Sequence, residues 1–196
     1  MQWCPGLSLA FALLFAGAMG SQLQSFEPVP SELLRGRRLL VENYNRTVDA
    51  PGEGWVWLRS AASPPDSEHS PPRRYYVVHP EQPHAFSFYT LDDDSWRKPP
   101  TRAYMTGLRD RFQRELKAAG SSLLDFRSSP SDKPMPSSYR FSYRVVKKGN
   151  PHSFVYGYLG GAWVKYIFLV KTSSQVEPPL FAEFAASCQM LNRKPY

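Results

Sequence analysis

Residues Tyr139 to Lys171 read YRFSYRVVKKGNPHSFVYGYLGGAWVKYIFLVK, and this stretch decides the fold. Tyr139, Phe141, Tyr143 and Val145 alternate with Arg140, Ser142 and Arg144. A period of two marks a strand with one buried face. In the next run Phe154, Tyr156 and Tyr158 share one side, opposite Ser153, Val155 and Gly157. Gly160-Gly161 accepts the positive φ angles of a tight turn and predicts a two-residue hairpin. That turn pairs Tyr158 with Trp163, Tyr156 with Lys165 and Phe154 with Ile167. On the other face it pairs Val155 with Tyr166 and Ser153 with Phe168. The third run is apolar on both sides apart from Lys165, as expected of a central strand covered on both faces.

Strand patterns extend upstream through Arg37–Tyr44, Trp55–Arg59, Tyr75–His79, His84–Leu91 and the short run Leu123–Arg127. Thr101–Ala119 is predicted as a helix, with Met105, Leu108, Phe112, Leu116 and Ala119 on one stripe and Gly120 as its stop. Leu180–Leu191 is predicted as a closing helix with Phe181, Phe184, Cys188 and Leu191 on one side. Residues 61–74 and 128–138 are rich in proline and serine and read as loops. The expected class is α+β, a central antiparallel sheet flanked by helices.

The 196 residues suit one domain with a sizeable core, expected over residues 37–196 after a lead-in at 21–36. Residues 1–20 carry no charged side chain, and an apolar run at Leu7–Phe15 precedes Ala16, Gly17, Ala18 and Gly20. This pattern predicts a cleaved secretory signal, with an uncleaved anchor as the alternative. The protein is then exported, periplasmic or secreted. Cleavage removes Cys4 and leaves Cys188 without an intrachain partner, expected as a buried thiol. Asn45-Arg46-Thr47 matches the glycosylation acceptor pattern. The formal net charge of +7 fits anionic partners, though such an excess also serves solubility.

With the elements placed, Tyr75–Leu191 resembles the PsbP/Mog1 group. The matching pieces are the Phe86-Ser87-Phe88-Tyr89 strand with Trp96 after it, the helix at Thr101–Ala119, the aromatic meander with its Gly-Gly turn, and the terminal helix carrying Phe181, Phe184 and Ser187. The resemblance implies an α/β/α sandwich and a role in binding. Photosynthetic members assist an oxygen-evolving complex, nuclear members bind a small GTPase, and the group shares no catalytic residues. The two strands expected before Tyr75 depart from its pattern.

The sequence holds no phosphate loop, paired-cysteine zinc spacing, HExxH or GxSxG, so no catalytic residue and no cofactor are assigned. His79 and His84 flank a turn upstream of Asp92–Asp94 and are weak metal candidates. Basic residues give the stronger lead. Arg140, Arg144 and Lys148 recur along one strand, and Arg111 and Arg114 stand on the first helix with Arg109 and Lys117. If they converge, they form an anion-binding surface; the ordinary reading is a solvated face. An exported binding or accessory module, meeting an unknown protein or envelope component, ranks first. A nonspecific binder of anionic polymer or lipid is second, and a metal-dependent hydrolase third. No specific nucleic acid is indicated.

Overall fold

The computed structural model describes residues 26–41, 46–60, 74–91, 99–161 and 165–190. The predicted signal, Asn45, Asp92–Asp94, Trp96, Trp163, Leu191 and most of the first Pro/Ser loop lie outside them. In chain order the elements begin with β1 (Phe26–Pro28), a 3-10 turn (Ser31–Leu33), β2 (Leu34–Arg35), β3 (Arg38–Leu40) and β4 (Arg46–Asp49). Then come β5 (Val56–Ser60), β6 (Arg74–Val78), β7 (Phe86–Leu91) and the helix α1 (Arg102–Ala118). The meander region supplies β8 (Ser121–Ser131), β9 (Ser138–Lys147), β10 (Ser153–Gly160) and β11 (Lys165–Thr172). The helix α2 (Pro179–Ala186) and β12 (Gln189–Met190) follow.

Eight strands form one antiparallel sheet in the order β1-β5-β6-β7-β11-β10-β9-β8. A smaller antiparallel sheet has the order β12-β4-β3-β2. β11 is central, as its two apolar sides require. Tyr166, Phe168 and Val170 face one core, with Phe86, Phe88, Trp57, Leu39, Val48, Phe181 and Phe184. Ile167 and Leu169 face the other, with Met105, Leu108, Phe112, Leu116, Phe141 and Tyr143. Thus α1 covers one side of the sheet, and the small sheet with α2 covers part of the other. The α+β class and the antiparallel sheet stand, but the second side is covered by strands as much as by helix.

The hairpin register differs from expectation. Tyr158 lies opposite Phe168, Tyr156 opposite Val170 and Phe154 opposite Thr172, five residues beyond the expected partners. The reason is that Gly160 is a strand residue and not half of a tight turn. It pairs with Tyr166, and the Met135 side chain fills the space where a Cβ would stand, with Cε 3.1 Å from that point. An odd shift moves Lys165 to the opposite face, where it is buried with its ammonium 5.6 Å from the Tyr104 ring centre.

Three further corrections concern ends. The lead-in contributes β1 to the edge of the large sheet and β2 to the small one. The second Pro/Ser loop is shorter than expected, because β8 runs to Ser131 against β9. The closing helix stops at Ala186, so Cys188 lies beyond it. There the Ser187 hydroxyl accepts from the Asp49 N–H at 3.1 Å and lies 3.1 Å from the Asp49 carbonyl and 2.7 Å from that of Phe184. This places β12 beside β4.

Gly157 sits opposite Phe141, and a Cβ there would stand 2.2 Å from Phe141 Cζ. The ring lies over the glycine, so Gly157→Ala forces it out of place. Urea denaturation is expected to show a loss of about 1–3 kcal/mol. Combined with Phe141→Leu, the loss should be less than the sum of the two single changes, because the changes share one space.

Burial pushes the Tyr89 phenol up to about 12, partly opposed by Arg74. Burial also raises Tyr143. A phenol whose folded pKa is raised keeps its proton when the unfolded chain would lose it. Stability is therefore full below about pH 10 and falls as pH rises toward 12. Tyr89→Phe should flatten that alkaline fall, read by denaturant midpoints across this range.

Candidate binding surface

Toward the β8 edge, the sheet side that carries α2 has no second layer among the described residues. Register places three rows of side chains there. The first is Leu124, Arg144, Phe154; the second Arg127, Ser142, Tyr156; the third Ser129, Arg140, Tyr158. Successive rows are two residues apart, about 6.8 Å along a strand. Two adjoining hollows occupy the rows. One, of about 240 Å³, is lined by Asp125, Arg127, Arg144, Phe154, Tyr156 and Gln175 among others. The other, of about 230 Å³, shares Arg127, Ser142 and Tyr156 and reaches Arg140 and Ser129.

A bulge shapes the edge. Between Leu124 and Arg127 the register slips by one residue, and Asp125 takes φ 55°. The extra residue increases local twist and re-aims its neighbours. Phe126 turns toward α1 and stacks on Phe141 and Tyr143, at 6.0 and 6.1 Å. Asp125 reaches Arg144 Nη2 at 2.7 Å. Arg144 Nε is buried without a hydrogen-bond partner among the described residues.

Beside the second hollow, Arg140 meets Glu177 on the connection into α2. Arg140 donates to its Oε2 through Nη2 at 2.8 Å and Nε at 3.1 Å, while the Tyr158 hydroxyl donates to Oε1 at 2.6 Å. Burial raises the Tyr158 phenol, and the bond to Glu177 raises it further. Two of the three arginines thus have carboxylate partners. Arg127 is exposed and has no ion pair among the described residues.

The basic residues singled out in the sequence do not form one patch. Arg140 and Arg144 share the open face. Arg111 and Arg114 are exposed on α1, which covers the other side of the sheet, and Arg111 Nε is paired with Glu115 at 2.9 Å. Arg109 holds Asp110. Lys148 has left its strand for the turn before Gly149. Sequence reasoning missed Arg127, because it ends a run read as a short strand before a loop; the bulge that turns it onto this face, at Asp125-Phe126, has no local signature in LLDFR.

His79 acts in its own turn. Its Nδ1 accepts from the Glu81 N–H at 3.1 Å, and its ring lies 5.6 Å from that of Trp55. No group of three or more His, Cys, Asp or Glu placed to hold a metal occurs among the described residues. Cys188 is a free, partly buried thiol whose pKa burial pushes up to about 11, away from easy ionisation.

No protein-family model matches the chain, and no curated protein does. Among solved structures it is similar to the solution structure of cyanobacterial PsbP (CyanoP) from Synechocystis sp. PCC 6803. The identity is 12%, the match covers 97% of this chain and 98% of that chain, and the TM-score is 0.47. The likeness is one of fold.

Tyr158→Phe should cost about 1.5–3 kcal/mol, because it removes a hydrogen bond to a mostly buried carboxylate. Arg140→Ala should cost about 1 kcal/mol or less, since its guanidinium is half exposed. Urea titration of the two variants tests the order.

Proposed function

We propose that this chain is an exported, non-catalytic binding module that meets an anionic partner through the open face of β8, β9 and β10. The observation that carries the reading is Arg127, an exposed guanidinium without a counter-ion among the described residues, which lines one hollow with Tyr156 and Arg144. Guanidinium groups favour bidentate contact with carboxylate, sulfate or phosphate, and adjacent rings add contact area. The resemblance to a group whose members act by binding agrees with this role, and the uncharged apolar start of the sequence supports export. The domain is taken to include the strands before residue 37, since β1 and β2 are paired into the two sheets.

The weaker alternative is general attraction of polyanions by the whole basic surface. The net charge of +7 and the exposed arginines of α1 favour it. Chromatography on immobilised heparin separates the two. Arg127→Glu should bring elution to clearly lower salt, while the double change Arg111→Glu and Arg114→Glu on the other side should move it much less. An equal shift from the helix variant would remove the open face as the contact surface.

A further inference from the structure

We propose that the open face takes a linear anionic polysaccharide lying along the strands, with its sulfate or carboxylate groups on the arginines and its hydroxyls on Asp125 and Gln175. This rests on the reading of that face as the contact surface and names the class of partner.

Shape and spacing come first. The two hollows share Arg127, Ser142 and Tyr156 and so form one shallow trough across three rows. Each row carries one guanidinium, from Arg144, Arg127 and Arg140 in turn. The rows are about 6.8 Å apart, so a single extended chain can present an anionic group to each. Phe154 stands in the row of Arg144 and Tyr156 in the row of Arg127, where half-buried rings can pack on the C–H face of a sugar.

Mixed charge selects among polyanions. Asp125 and Glu177 stand among the arginines, at 2.7 and 2.8 Å from Arg144 and Arg140, so three positive groups face two negative ones. A polyphosphate chain or an anionic lipid surface offers acceptors to arginine but opposes those carboxylates. A polysaccharide also brings O–H donors, which the Asp125 carboxylate and the Gln175 carbonyl can accept. A nucleic-acid strand has far fewer hydroxyl donors for the same length. Arg144 lines the trough, and its Nε is buried there without an acceptor among the described residues.

The test compares a heparin oligosaccharide with inorganic polyphosphate of matched charge, titrated into the full chain at one salt concentration. Heparin should bind at least about tenfold more tightly. Tyr156→Ala should weaken heparin by about tenfold, the scale of a lost aromatic stacking contact, and leave polyphosphate nearly unchanged. If Tyr156→Ala lowers stability too far to measure, the exposed Gln175→Ala serves instead, with about a threefold loss for heparin alone. Equal affinity for the two polymers, or equal weakening of both by either variant, overturns the proposal. So does tighter binding of a single-stranded oligonucleotide or of phosphatidylserine vesicles. If Arg127→Glu lowers heparin retention while these comparisons fail, the face is right and only the polysaccharide is wrong. If Arg127→Glu has no effect, the face itself is wrong.

Discussion

Phe184 is where the two layers on one side of the sheet meet. Its ring lies 5.4 Å from Phe86, 5.3 Å from Phe168 and 6.0 Å from Trp57, so one side chain joins α2 to β7, β11 and β5. Phe181 extends the contact to Phe86 and Tyr158, at 5.7 and 5.3 Å. Aromatic pairs of this kind add to the apolar area they bury. The eight-residue helix therefore sits over β5, β7, β10 and β11 in the middle of the sheet. Among the described residues, the end of the sheet at β8 has no second layer on that side.

The bare end is not left unmanaged. An exposed strand edge invites pairing with another chain, and β8 carries several of the devices that discourage it. Its bulge, the charged Asp125 and Arg127, and Pro130 near its end interrupt a regular ladder. The same bulge divides the work of neighbouring residues. Phe126 goes to the α1 core, whereas Asp125 and Arg127 go to the open side. Edge protection and surface chemistry thus come from one extra residue.

Much of the architecture is legible in the alternation and helical spacing. The stripe Met105, Leu108, Phe112 and Leu116 reads as helix and is buried as such. The apolar run of β11 reads as central and lies between β7 and β10. What misleads is the pair of glycines. Two adjacent glycines signal a turn from local conformation alone, while the actual reason for Gly160 is a side chain well upstream, that of Met135. Long-range packing leaves no periodic trace. The surface is legible only in part for the same reason. Arg140 and Arg144 announce themselves by alternation, but Arg127 depends on a slip in pairing between distant strands. The basic residues of the helix match those of the strand in charge, yet the sheet stands between them.

Ser187 bonds to the main chain of Asp49, and β12 then lies along β4. These partners are 138 residues apart in sequence. During synthesis, β4 emerges long before its outer neighbour exists. The small sheet must wait with one flank open until the region around residue 190 has left the ribosome tunnel. The large meander can pair meanwhile, so assembly of this chain finishes by joining its early strands to a late one.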